Sequence, residues 1–238
     1  MNSKFFPIDF SQSFGQYSGF VLINKEKGIS SHTVINRLRK MTGVKRIGHA
    51  GTLDPLASGL LIVAISREAT RELENFIKLD KEYIATLFLG AETDTYDKEG
   101  EILKRVDPRE EKVFDNQFLN EKIKAFIGEQ LQIPPMYSAK KIKGRKLYEL
   151  ARRGIEVERP AAKINIYDLQ IISYVHPILK LRVACSSGTY IRSLAFDLGR
   201  SLGCGAYLDD LERTRIDDFS LDKAYTLEEF EKRLTEKK

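Results

Sequence analysis

The sequence has few cysteines and no long apolar run. Only two of its 238 residues are cysteines, Cys185 and Cys204, which argues against a disulfide framework and favours a reducing, cytoplasmic compartment. The longest apolar run, residues 60–65, is far too short to cross a bilayer, and the first residues lack the pattern of an export signal. Internal repeats, low-complexity tracts and linkers rich in proline, glycine or serine are also lacking. We therefore expect one domain that does not enter a membrane.

The charge balance is only mildly basic. Lysine and arginine number 39 against 34 aspartate and glutamate residues, so the net charge of +5 is weak evidence for a polyanionic partner. The position of the charge is more informative, because basic residues crowd one segment around Gly144 and Tyr148. Such a segment is typical of a loop that grips phosphates, and a solvated basic helix face is the alternative. Its members are Lys140, Lys141, Lys143, Arg145, Lys146, Arg152 and Arg153.

Hydrophobic periodicity predicts an α+β protein in which strands and helices are interspersed without strict alternation. Residues 1–18 are expected to form an N-terminal arm or an irregular first strand. Strands are predicted over residues 19–24, 60–65, 81–89, 164–173 and 179–185. Helices are predicted from Ser30 or Ser31 to Gly43 and over residues 118–126, 146–153, 189–202 and 226–238.

Residues 48–59, GHAGTLDPLASG, stand out as a shaped loop between a basic segment and an apolar strand. Three glycines permit close backbone approach, and Pro55 restricts the backbone of Asp54. Asp54 has two readings from these features alone: a helix N-cap before a proline, or a carboxylate that acts as nucleophile or general base. A lone aspartate specifies no reaction, so the spacing alone leaves both open.

The same stretch resembles the GHxGxLDPxAxG motif of the TruB family of tRNA pseudouridine synthases. Three further segments resemble that family in the expected order: KEY at residues 81–83, IPPMYSA at 133–139 and CSSGTYIR at 185–192. The resemblance extends over roughly residues 19 to 220. It implies the α+β pseudouridine synthase fold, a mixed and largely antiparallel central sheet flanked by helices and loops. It also implies isomerisation of uridine 55 in the tRNA T-arm without a cofactor or a metal. A guide RNA is not expected for a chain this short, and a monomer is the default expectation.

The resemblance assigns roles to individual residues. Asp54 matches the catalytic aspartate, which attacks the target uridine at uracil C6 or at ribose C1′. Tyr83 matches the active-site tyrosine, which stacks on the flipped uracil and helps to remove the C5 proton; the alternative is a packing aromatic in a strand. Arg192 matches the arginine that keeps the aspartate ionised, and a surface arginine on a helix is the alternative. His49, Tyr190 and Leu211 match positions near the substrate nucleotide, and the basic segment matches a region that contacts the T-loop.

The sequence departs from the family pattern in two respects, and two other functional classes are alternatives to the enzyme. Lys25 is followed by Glu26 where the family usually has proline, so Lys25 receives no catalytic role. No counterpart of the RNA-binding PUA domain of many relatives is evident. The first rival function is an RNA-binding or tRNA-folding module without chemistry, and the second is the catalytic subunit of a guide-RNA complex. A zinc deaminase lacks its ligand motif here, and residues 94–100 have Tyr96 and Lys98 where a calcium loop needs oxygen ligands.

Overall fold

The computed structural model describes residues 4–107, 113–138, 140–142, 144–151 and 153–236, with only the main chain at Lys141, Ile142 and Lys146. The strands are β1 (Gly19–Lys25), β2 (Ile47–Ala50), β3 (Ser58–Ile65), β4 (Lys81–Leu89), β5 (Ala91–Thr93), β6 (Ile102–Arg105), β7 (Gly128–Gln132), β8 (Lys141–Ile142), β9 (Arg145–Lys146), β10 (Ala162–Val175), β11 (Ile178–Cys185), β12 (Ala206–Ile216) and β13 (Phe219–Ser220). The helices are α1 (Ser31–Thr42), α2 (Arg67–Arg71), α3 (Glu74–Ile77), α4 (Asn116–Lys124), α5 (Leu147–Ala151), α6 (Ile191–Leu202) and α7 (Leu227–Thr235), with a 3-10 turn at Leu221–Lys223.

The chain divides into two compact units, residues 1–83 with 211–238 and residues 84–210. We call them unit 1 and unit 2. Strands β4 and β12 have residues in both, so the chain passes from one unit to the other within these strands. Whether the chain is one domain, as the sequence predicts, stays a prediction. No helix among the described residues is long and apolar enough to span a membrane.

Unit 1 is built on strands that are buried on both faces. Its strand order is β1-β3-β12-β4, with β2 also paired to β3. The β1–β3 pair is antiparallel, and Glu212 and Arg213 of β12 lie parallel to Ser58 and Gly59 of β3. One face of β1 and β3 packs on α1 and α7, and the other packs on Phe76 and Phe219. Two-sided burial explains why both strands are continuous apolar runs in the sequence.

In unit 2 the strand order is β12-β4-β11-β10-β7. Strands β10 and β11 form a long hairpin, and β7 pairs antiparallel with β10. Every second residue of β4 from Lys81 to Leu89 is buried, which matches the alternation read from the sequence. Helix α4 packs on β10 and α6. The mixed, largely antiparallel sheet with flanking helices confirms the predicted fold class.

Most predicted elements are confirmed, with bounds shifted by a few residues. Ser30 is the N-cap of α1 and accepts from the Thr33 N–H at 3.0 Å, while Gly43 ends the helix at φ 72°. Near the N-terminus, Ile8 N–H donates to Phe20 C=O at 2.8 Å, so the arm pairs with β1 at an isolated bridge and forms no strand of its own among the residues described there. The predicted helix 146–153 is shorter than expected, because Lys146 belongs to β9 and α5 spans Leu147–Ala151.

Candidate active site

The loop that contains Asp54 lies in unit 1 between β2 and β3. Asp54 is half-buried, and the side chains of Leu53 and Leu56 on either side are buried. The Ala57 N–H donates to the Asp54 C=O at 3.1 Å, which closes a turn at Pro55 and Leu56 before β3 begins. No helix starts here, so the reading of Asp54 as a helix N-cap is wrong.

The segment that joins β1 to α1 fixes the loop on both sides of Asp54. The Ser31 hydroxyl accepts from the Leu53 N–H at 2.9 Å and donates to the Leu53 C=O at 3.0 Å. The Gly28 N–H donates to the Pro55 C=O at 2.8 Å. Ser31 is 1% exposed, so its hydrogen bonds to Leu53 are shielded from water. The main chain before and after Asp54 is therefore held in one path.

Arg213 of β12 holds the same loop from the sheet. Its guanidinium is buried, with Nε donating to the Leu60 C=O at 2.7 Å and Nη2 to the Gly51 C=O at 3.0 Å. Close approach of β12 requires glycine at position 59, where φ is 105° and a Cβ would lie 2.4 Å from the Arg213 carbonyl oxygen. The buried guanidinium of Arg213 therefore hydrogen-bonds to main-chain carbonyl groups on both sides of Asp54.

Lys25 is fully buried at the end of β1. Its ammonium donates to the Glu26 C=O at 2.9 Å and to the Ile29 C=O at 2.7 Å. Burial lowers the pKa of Lys25 to about 8, and the negative charges of Asp54 and Glu26 oppose this shift. Lys25 therefore supports the turn that leads into α1 and adds positive charge near Asp54.

His49 occupies β2, five residues before Asp54. Burial, together with the positive charges of Arg213 and His32, lowers the pKa of His49 to about 4, so its ring is neutral at neutral pH. Its Nδ1 is buried and has no hydrogen-bond partner among the residues that the structure describes. A neutral ring is suited to filling space beside a base and does not add charge there.

Tyr83 and Leu211 are also in unit 1, and both are buried. Tyr83 is on the inward face of β4 at 8% exposure, and Leu211 is on β12 at 7%. Leu211 and Arg213 are two residues apart on one strand and share its buried face. Burial of Tyr83 is compatible with stacking on a base and with packing, so its predicted role stays a prediction.

Arg192 lies in unit 2, on the first turn of α6, and is 5% exposed. The alternative of a surface arginine is therefore wrong. Its Nη1 lies 3.3 Å from Asp97 Oδ2 and donates to the Thr95 C=O at 3.1 Å, while Nη2 donates to the Tyr137 C=O at 2.7 Å. The predicted pairing of Arg192 with Asp54 stays a prediction.

Asp97 is the buried partner of Arg192, a pairing that sequence reasoning missed. Its carboxylate is buried, and Oδ1 accepts from the Thr95 hydroxyl at 2.7 Å and from the Glu99 N–H at 3.0 Å. The turn that resembles a calcium loop in sequence therefore presents a carboxylate to Arg192. The described residues contain no group of three or more histidine, cysteine or acidic side chains suited to a metal ion.

The basic segment folds partly as a hairpin in unit 2. Strands β8 and β9 pair Lys141 with Lys146 and Ile142 with Arg145, around Gly144 at φ 81°. Arg145 is exposed and Lys140 is half-buried. Lys143 lies outside the described residues, as do the side chains of Lys141 and Lys146. Tyr190, the residue before α6, is half-buried in the same unit.

Comparisons with known proteins show which family the sequence resembles. Residues 39–191 match the sequence model described as TruB family pseudouridylate synthase (N terminal domain), and residues 192–238 match tRNA pseudouridylate synthase B C-terminal domain. The chain is 50% identical to tRNA pseudouridine synthase B of Protochlamydia amoebophila over 206 residues, which cover 86% of this chain and 76% of that protein. It is 46% identical to the protein of that name from Chlamydia abortus, over 86% of this chain and 85% of that protein.

Solved structures show the same fold. "Crystal Structure of a Cbf5-Nop10-Gar1 Complex" contains a similar chain at a TM-score of 0.69 and 27% identity, with 90% of this chain and 53% of that one covered. A chain in "Structure of H/ACA RNP bound to a substrate RNA containing 2'-deoxyuridine" is similar at a TM-score of 0.65 and 25% identity. That match covers 90% of this chain and 52% of the other. This chain spans about half the length of those two chains.

The fold and the aspartate loop together define a pseudouridine synthase. Residues 39–238 match the two models of one family in succession, and relatives with that family's name are 46–50% identical over most of the chain. The chain belongs to the TruB family of pseudouridylate synthases. The resemblance inferred from residues 48–59, 81–83, 133–139 and 185–192 is thereby confirmed.

Proposed function

We propose that this protein isomerises uridine 55 in the T-arm of tRNA to pseudouridine, with Asp54 as the nucleophile. The observation that supports this most is the loop of residues 48–59, in which Ser31, Gly28 and Arg213 fix the backbone around a half-buried carboxylate. The relatives at 46–50% identity are named tRNA pseudouridine synthase B. A carboxylate held in one orientation before the substrate arrives needs little reorganisation during reaction.

The chemistry balances without a cofactor. Asp54 attacks the uridine at uracil C6 or at ribose C1′, the N1–C1′ bond breaks, and the detached uracil rotates. A C5–C1′ bond then forms, the bond between Asp54 and the nucleotide breaks to restore the free carboxylate, the C5 proton leaves and N1 gains a proton, so substrate and product are isomers. Tyr83 stacks on the uracil and takes part in removing the C5 proton. Arg192 orients Asp54 by its charge, while Asp97 in turn orients Arg192.

The target uridine must leave its stack before Asp54 can reach it. Flipping costs on the order of a few kcal/mol, which contacts with the RNA backbone offset. We assign these backbone contacts to five residues of the basic segment: Lys140, Lys141, Lys143, Arg145 and Lys146. His49, Tyr190 and Leu211 contact the extruded nucleotide, with neutral His49 filling space beside the base and Leu211 supplying an apolar wall. The enzyme acts as a cytoplasmic monomer and needs no guide RNA.

The test is pseudouridine formation in an unmodified tRNA transcript, with purified protein, a chelator and no guide RNA. Wild type should convert position 55, Asp54→Asn should give no product, and both should bind tRNA with similar affinity, because the grip and the chemistry use different residues. A transcript with cytidine at position 55 is the substrate control. Binding without product from the wild type would favour the RNA-binding module. Product only after a guide RNA is added would favour the guide-dependent subunit.

A further inference from the structure

Gln132, the last residue of β7, binds both main-chain polar groups of Tyr190. Its Oε1 accepts from the Tyr190 N–H at 2.8 Å, and its Nε2 donates to the Tyr190 C=O at 3.0 Å. Gln132 is 4% exposed, so its amide is shielded from bulk water. Only one orientation of the amide satisfies both bonds, because a flipped amide would place donor against donor and acceptor against acceptor.

This pair of bonds fixes the point at which the chain enters α6. Tyr190 is the N-cap of α6 and makes no side-chain cap of its own, so its backbone needs another support. The same two segments meet twice more: Ser193 Oγ donates to the Ile133 C=O at 2.9 Å, and Arg192 Nη2 donates to the Tyr137 C=O at 2.7 Å. Residues 132–137 are thus the support on which the first turn of α6 rests.

We propose that Gln132 is a positioning residue, which acts by holding Tyr190 where its ring contacts the extruded uridine. This inference rests on the proposed function, in which Tyr190 contacts the substrate nucleotide. Gln132 is itself buried and its amide is bonded to Tyr190, so it acts through that residue and not on the RNA. Tyr190 is half-buried, so part of it is open to solvent while its backbone is fixed. A side chain held in this way loses little freedom when a base stacks on it.

Gln132→Met tests the proposal, because methionine keeps the length of the side chain and removes both hydrogen bonds. The single-turnover rate constant at saturating tRNA should fall about tenfold, since small misplacements of a positioning group have effects of this order. The tRNA dissociation constant should change less than about twofold, because the base contact forms only after flipping and the grip is on the backbone. Gln130→Met is the matched control, since Gln130 lies on the same face of β7 and bonds to the Phe126 C=O. It should leave both quantities unchanged.

A second arm separates positioning from general destabilisation. In a Tyr190→Ala background, Gln132→Met should lower the rate constant by less than about twofold, because the side chain that it positions has been removed. An equal loss in both backgrounds, or a wild-type rate for Gln132→Met alone, would overturn the proposal. If Gln132→Met does not fold, Gln132→Glu keeps the acceptor to the Tyr190 N–H and should show the same rate loss. Absence of product from the wild type would refute the proposed function itself, which distinguishes the two failures.

Discussion

Lys25 shows how a single buried cation makes stability depend on pH. Its pKa is about 8 in the folded protein against an ordinary value of 10.5, with burial as the main cause. Between these values the unfolded chain binds a proton that the folded chain does not, so stability rises as the pH rises from about 8 to 10.5. The neutral amine retains two N–H donors, enough for both of its carbonyl partners. Deprotonation therefore relieves the burial cost without loss of either bond.

We expect Lys25→Met to abolish this rise. Chemical denaturation of wild type and variant at pH 7 and pH 10 should show that the wild type gains stability relative to Lys25→Met by about 2.5 kcal/mol, which is most of the free energy of a pKa shift of this size. Lys27→Met is the control, because Lys27 is an exposed lysine two positions along the chain from Lys25. It should follow the wild-type curve. Parallel pH curves for wild type and Lys25→Met would refute the assignment.

Residues that support the proposed site were harder to predict than the residues proposed for it. Asp54, Tyr83 and Arg192 were predicted because each stands in a motif whose residue order could be read directly. Gln132 and Ser31 act through hydrogen bonds, and Asp97 through an ion pair, with partners from 22 to 95 positions away in the sequence. A serine in a helix start or a glutamine at a strand end has no local pattern that reveals such a partner.

Elements with a single hydrophobic period were predicted well, and β12 was not. Strands β1 and β3 are uninterrupted apolar runs and β4 alternates, so each shows the pattern of its environment. Strand β12 has charged residues at Asp209, Asp210, Glu212, Arg213 and Arg215, which hide its alternation. Its inward arginine is buried because carbonyl groups of other segments accept hydrogen bonds from its guanidinium, a fact that only the fold reveals.

The link between α1 and the Asp54 loop is an element-scale device that can be tested with adjacent serines. Ser31→Ala removes the hydroxyl that bonds to both polar groups of Leu53, and Ser30→Ala removes the N-cap of the same helix. Each should lower the free energy of unfolding by about 1–2 kcal/mol, from the loss of buried bonds or of a cap. Only Ser31→Ala should also lower the single-turnover rate of pseudouridine formation, by about fivefold or more, because only it releases the loop.

Thermal melting gives the stability of the two variants, and rate measurements show whether the Ser31 bonds to Leu53 also affect activity. A rate loss in Ser30→Ala equal to that in Ser31→Ala would mean that general weakening of α1, and not release of the Leu53 backbone, governs activity. A Ser31→Ala enzyme with wild-type rate would show that Gly28 and Arg213 hold the loop without it.

At the scale of the whole molecule, the position of the charge matters more than its sum. A net charge of +5 would attract a polyanion only weakly, whereas the hairpin β8–β9 and its neighbours place basic residues within a few positions of one another. Contacts with phosphates release counterions, so each one adds to the slope of the logarithm of the binding constant against the logarithm of the salt concentration. The slope of this plot therefore reports the number of phosphate contacts in a tRNA complex.

Arg145 is exposed on β9 of this hairpin and its side chain is described, so it gives the sharpest test. Arg145→Ala should weaken tRNA binding and reduce the magnitude of the salt slope by about 1, as expected when one phosphate contact is removed. Lys180→Ala is the control, since Lys180 is exposed on β11 of the same unit, outside the basic segment. Fluorescence titrations from low to moderate salt give both slopes. If the two variants shifted the slope equally, the effect would reflect net charge alone, and the hairpin would have no special part in gripping the RNA.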